Sequence, residues 1–131
     1  KETSRHTLMA TSPELIRGYM ELRGIGVIDI VRLLGMGAIK PFQEIDMVVN
    51  LEPWDDSAIY DRFGLESHFM EILSVKVPVA TIPVKPGRNL AAIVEVAAMN
   101  NRNRKMGHNA AQELTDRMDR HFQQELERGV E

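Results

Sequence analysis

Residues 89–129 carry two helix patterns in succession, each with its own start and stop signals, and this commits the chain to a fold that ends in a helical pair. Asn89 is a good N-cap after the Pro86-Gly87 turn, and residues 90–106 then read as a helix closed by Gly107. Its first turns are apolar nearly all round, which predicts burial on several sides. Glu95 sits within that apolar stretch and should either pair, with Arg102 two turns on as one partner, or face a wet groove; a structural role fits it better than catalysis. The second helix starts at Asn109, with Gln112 as its capping-box partner, and ends at Gly129. Its stripe is Ala111, Leu114, Met118, Phe122 and Leu126, while Glu113 with Arg117 and Asp116 with Arg120 form i,i+4 pairs on the wet faces.

Upstream, glycine and proline punctuate shorter elements. Residues 1–11 are polar and show no clear period. Ser12-Pro13-Glu14 reads as a helix start, with Leu15, Ile16, Tyr19 and Met20 on one face and Gly24 as C-cap. Residues 25–30 read as a strand or buried turn, after which Asp29 caps a short helix ending before Gly35. Gly35-Met36-Gly37 is a breaker, and residues 45–51 read as a strand. Residues 52–64 read as a loop or short helix, and residues 69–73 as a helical turn. Residues 75–84 contain Pro78 and Pro83, so strands there should be short or at an edge. Pattern alone gives mixed α and β with a helical end.

With 131 residues and no repeat or linker, the chain reads as a single domain or a large piece of one. Its formal net charge of -3 gives no electrostatic reason to expect nucleic acid or an anionic membrane. The absence of cysteine excludes thiolate chemistry and suits a reducing cytoplasm. Its longest apolar stretch, interrupted by Glu95, is too short to span a bilayer. Because the chain opens at Lys1 rather than Met, the natural amino terminus is expected elsewhere.

Three further clusters could carry chemistry. In the first, Glu21 and Arg23 stand beside Gly24 and Gly26, a carboxylate for a hard cation and a guanidinium for a phosphate at what reads as a helix end. An ordinary glycine C-cap would look the same. The second is Asp61-Arg62-Phe63-Gly64, preceded by Trp54-Asp55-Asp56. Its Arg62 could stabilise a transferred phosphoryl group or merely pin a loop, and Asp55-Asp56 is more simply a solvated turn than a Mg²⁺ site. The third is Pro83-Val84-Lys85-Pro86-Gly87-Arg88, two cations on a rigid turn that opens into a helix, an anion site or just a basic turn. The four histidines lack metal spacing, and no GxxxxGK[ST] phosphate loop occurs in the chain.

Read in order, these segments resemble one family. Met20-Glu21-Leu22-Arg23-Gly24-Ile25-Gly26-Val27-Ile28-Asp29 is similar to the LEIRGLGIID-type signature of HPr kinase/phosphorylases. Asn50-Leu51-Glu52-Pro53-Trp54 with Asp61-Arg62-Phe63-Gly64 resembles that family's LENW…DRLG stretch. Residues 82–90 resemble IPVRPGRNL, residues 93–100 IIEVAAMN, and residues 106–111 MGYNAA. The resemblance runs from about Ser12 to Phe122, with residues 1–11 matching poorly.

It implies a partial α/β phosphoryl-transfer core related to phosphoenolpyruvate carboxykinase, a mixed sheet with helices and two carboxy-terminal helices. It also implies a cytoplasmic, hexameric regulator of sugar uptake and carbon metabolism through the phosphotransferase system. Such an enzyme phosphorylates a serine of the carrier protein HPr with ATP or pyrophosphate and Mg²⁺, and removes that phosphate by phosphorolysis. By matching position, Glu21 would bind Mg²⁺ with Arg23 in the same catalytic segment, and Arg62 would be a catalytic arginine. Lys85 and Arg88 would be the charges of a dephosphorylation loop formed by residues 83–88. The last helix would serve HPr contact or subunit packing. The family's phosphate loop, catalytic His and following aspartates lie upstream of what Lys1 begins, so these 131 residues alone are expected to be inactive. The alternatives are a non-catalytic HPr-binding or oligomerisation module, and an unrelated α/β scaffold that self-associates through residues 90–106.

Overall fold

The computed structural model describes residues 1–61 and 64–129. The chain forms two compact units, residues 1–46 with 71–77, and residues 47–70 with 78–131.

In the first unit, β1 (Met9–Ala10) pairs antiparallel with β4 (Gln43–Glu44). The adjacent Leu8 is 2% exposed and joins Ile30, Val75 and Val77 as the unit's buried apolar residues. The helix expected from Ser12 to Gly24 does not form. Its start signal yields only a 3₁₀ turn, Glu14–Ile16, and Gly18 at φ 85° takes the backbone out of the helical region. From there β2 (Tyr19–Leu22) and β3 (Gly26–Asp29) make an antiparallel hairpin, with Glu21 opposite Val27 and Tyr19 opposite Asp29. Its turn is closed by the Ile25 N–H donating to the Leu22 carbonyl at 3.0 Å, with Gly24 at φ 91°.

The short helix expected after Asp29 is present as α1 (Ile30–Leu34). Asp29 Oδ1 accepts the Arg32 N–H at 3.0 Å, and the helix ends at Gly35. The breaker that follows adopts a 3₁₀ turn, Met36–Ala38.

The remaining strands are β5 (Val48–Pro53), β6 (Phe69–Ile72) and β7 (Val75–Val84), in the sheet order β5-β7-β6. Two expectations fail here. Residues 69–72 form a strand rather than a helical turn, and the proline-bearing segment is a ten-residue central strand. Alternation along β7 explains how both prolines fit. Parallel pairing with β5 begins at Val48 opposite Val79, so Pro78, whose missing N–H would point toward β5, precedes that ladder. Pro83 points to the other side, as Val79 does toward His68, and by residue 83 the chain has run past β6. The strand expected at residues 45–51 is displaced to residues 48–53.

Helix α2 (Leu90–Lys105) and helix α3 (Ala110–Gly129) follow. Asn89 Oδ1 accepts from the Ala92 N–H at 3.1 Å, and Asn109 Oδ1 from the Gln112 N–H at 3.2 Å. The Gln112 side chain does not complete a capping box; it donates forward to Asp116 at 2.9 Å. Nor is α2 buried on several sides, because Val96 is 59% and Met99 53% exposed. Glu95 is exposed as well, the wetter of its two expected settings. Among the described residues, no helix is long and apolar enough to cross a membrane.

Candidate functional site

The first unit presents the carboxylate and guanidinium of residues 20–29 on a hairpin rather than at a helix end. Strand alternation puts Glu21 on the face shared with Tyr19, Val27 and Asp29. Asp29 is committed to its helix, one oxygen capping and the other 3.4 Å from Arg32 Nε. Glu21 is exposed and makes no hydrogen bond or ion pair among the described residues. It can therefore offer one oxygen to a hard cation. No cluster of three metal-ligating side chains occurs among the described residues, so Glu21 by itself makes no closed metal site. Arg23, in the hairpin turn, is exposed too.

In the second unit the cationic turn is built around an aromatic ring. At the end of β5 the Trp54 N–H donates to the Val84 carbonyl at 2.9 Å, which ties residue 54 to the end of β7. The indole Nε1–H donates to Asp56 Oδ1 at 2.9 Å, and the Tyr60 ring lies 4.8 Å away at 48°. Lys85 Nζ stands 4.2 Å from the Trp54 centroid and Arg88 Cζ 5.4 Å from it, both within cation–π range. Arg88 also donates through Nη1 to the Pro83 carbonyl, and its N–H donates to the Lys85 carbonyl at 3.3 Å. Residues 83–88 thus fold back on themselves directly before the α2 N-cap.

Trp54, Tyr60, Asp61, Thr81, Arg88 and Arg104 line one open cleft of about 580 Å³. Arg104 Nη2 reaches from α2 to the Gly64 carbonyl at 2.5 Å, forty residues away in sequence, while its buried Nε has no hydrogen-bond partner among the described residues. Arg62 lies outside the described residues. The Asp55-Asp56 pair is already engaged. Asp55 accepts from both the amide and the hydroxyl of Ser57, which hold its carboxyl below the ordinary 3.8, and Asp56 accepts from Trp54.

The structure thus places Lys85 and Arg88 against one indole ring, and Glu21 and Arg23 on one hairpin. Sequence reasoning missed the aromatic seat under the two cations. Trp54, the only tryptophan, was visible as part of a motif, but nothing local says that the end of β5 lies beside the end of β7.

The chain is thus of the mixed α/β class, with parallel β5–β7 pairing, a cationic turn leading into a capped helix and a helical carboxy end. The family described as HPr Serine kinase C-terminal domain matches residues 1–118, and the chain belongs to that family. The match reaches residue 1, so the opening eleven residues, expected to fit poorly, are part of it. The HPr kinase/phosphorylase of Caldicellulosiruptor bescii is 50% identical over 129 residues, covering 98% of this chain and 40% of that protein. That of Thermoanaerobacter sp. is 53% identical over 115 residues, covering 88% of this chain and 38% of that protein. The solved HPr(Ser) kinase/phosphatase from Coxiella burnetii is 26% identical with a TM-score of 0.73, covering 86% of this chain and 68% of that one. The chain spans about 40% of the length of the curated relatives it matches.

Proposed function

We propose that the protein carrying this chain phosphorylates a serine of HPr with ATP or pyrophosphate and reverses the reaction by phosphorolysis. Forward, the serine Oγ–P bond forms, the bond to the terminal phosphoryl group of the donor breaks, and the serine proton leaves. In reverse, an oxygen of inorganic phosphate takes the phosphoryl group from phosphoserine, giving pyrophosphate and free serine. In this reading Lys85 and Arg88 hold the phosphate that attacks in reverse, Arg62 offsets charge on the transferring group, and Arg23 supports the same segment as Glu21. Glu21 contributes one oxygen to Mg²⁺, which when bound neutralises phosphate charge. The reading includes a cytoplasmic homohexamer, with no nucleic acid or membrane partner.

The observation that carries it is the pairing of Lys85 and Arg88 over Trp54, beside the α2 N-cap, in a chain of this family. The test uses the full-length protein, purified HPr, ATP with Mg²⁺, and separately phosphoserine-HPr with inorganic phosphate. Serine phosphorylation and pyrophosphate release are expected, with phosphorolysis reduced on the order of 10²-fold by Lys85→Ala/Arg88→Ala. A full-length protein that does neither overturns the reading. The 131 residues by themselves are expected to transfer no phosphate, since they lack a phosphate-cradling GxxxxGK[ST] loop.

A further inference from the structure

Two cations on one six-residue turn repel each other, and the usual remedy is a carboxylate between them. Here no carboxylate pairs with Lys85 or Arg88 among the described residues; both lie against the indole of Trp54, at 4.2 and 5.4 Å from its centroid. The difference matters for an anion site. A carboxylate would hold the two side chains but cancel the field that an incoming phosphate needs. The negative face of an aromatic ring attracts both cations and carries no net charge, so the pair stays positive while its rotamers are restricted.

The ring is itself held. Its backbone N–H is bonded to the end of β7, its Nε1–H to Asp56, and its ring lies tilted against Tyr60, whose hydroxyl accepts the Asp55 N–H at 2.9 Å. A side chain fixed at this many points is a scaffold for whatever lies on its face.

We propose that Trp54 is a positioning residue for the anion-binding turn, its indole ring holding both Lys85 and Arg88 so that both remain available to one phosphate or pyrophosphate. Trp54 itself does not touch the reacting atoms; it acts through the two cations. The inference rests on the reading of residues 83–88 as the phosphate turn, and the experiment separates the two.

Full-length protein is assayed for phosphorolysis of phosphoserine-HPr over a range of inorganic phosphate, in wild type, Trp54→Leu, Trp54→Phe and Lys85→Ala/Arg88→Ala, with the melting temperature of each recorded. Trp54→Leu keeps an apolar filler but loses the ring face. It is expected to raise KM for phosphate roughly 5- to 30-fold, the worth of two cation–π contacts, with kcat changed less than about 3-fold. Trp54→Phe retains a π face and is expected to recover most of that loss. Equal phosphate KM in Trp54→Leu and wild type overturns the proposal while leaving the turn's own role standing. So does a loss of kcat with all substrates that tracks a fall in melting temperature and is not rescued by phenylalanine, because a merely structural ring would behave that way. If Lys85→Ala/Arg88→Ala keeps the wild-type phosphate KM, the reading of the turn fails first and the proposal falls with it.

Discussion

Asp29 ends β3 and caps α1, so one side chain joins the hairpin that carries Glu21 to the helix behind it. Asp29→Ala removes the acceptor of the Arg32 N–H and is expected to cost about 1 kcal/mol, with Asp29→Asn recovering most of it, as read by urea unfolding of the full-length protein. Asp55 shows the same economy beside Trp54. Its carboxyl is held below the ordinary 3.8 by the Ser57 hydroxyl first and the Ser57 amide second. Because the folded value is the lower one, the contribution is fully present above 3.8 and is lost as the pH falls through that lower value. A carboxyl chemical-shift titration should therefore place the Asp55 midpoint below 3.8, and Ser57→Ala should move it up toward that value. A midpoint at or above 3.8 in the unsubstituted protein would contradict the assignment. Such caps and turns were legible in advance at Asp29, Asn89 and Asn109, since each depends on a short polar side chain and the backbone within three residues of it.

Elements that depend on distant partners were not legible in the same way. Leu15, Ile16, Tyr19 and Met20 are spaced for a helix, yet residues 19–22 pair with residues 26–29 once Gly18 and Gly24 take positive φ. The signal against a helix was Gly18, a poor helix former in the interior of the expected helix. The proline rule misled at β7 because it treats a strand as edge or centre along its whole length, whereas β7 meets β5 over one stretch and β6 over another. Of the candidate site, the charged residues were readable as motifs, while the ring beneath Lys85 and Arg88 needed the parallel β5–β7 register to appear. The hairpin also makes a prediction of its own. Gly24→Val puts a β-branched residue at φ 91° and is expected to destabilise the turn by about 1–2 kcal/mol. Because Glu21 lies in β2 one residue before its last, Leu22, the variant should also need more Mg²⁺ for half-maximal kinase activity in the full-length protein. Unchanged Mg²⁺ dependence in a destabilised variant would separate the hairpin from metal binding.

For the molecule as a whole, surface area is the informative quantity. Leu114, Met118, Phe122 and Leu126 lie along one stripe of α3, from 41% to 69% exposed, and no described residue of α2 or α3 is buried. Local rules suffice to start and stop these helices, but propensity alone rarely holds a helix in water without a covered apolar face. The 131 residues studied apart from the rest of a protein are therefore expected to bind a hydrophobic dye and to unfold over a broad range of urea. The full-length protein should bind little dye and lose the same helices in a steep transition, because the urea slope grows with the area that folding buries. Truncating the α3 stripe with Leu114→Ser/Phe122→Ser discriminates further: it should leave the helicity of the isolated chain nearly unchanged, having removed nothing that was buried there, yet lower the midpoint of the full-length protein if that stripe is covered in it. A sharp, dye-free transition in the isolated chain would mean that its apolar surfaces find partners within these residues, and the account of α3 as a face awaiting cover would fall.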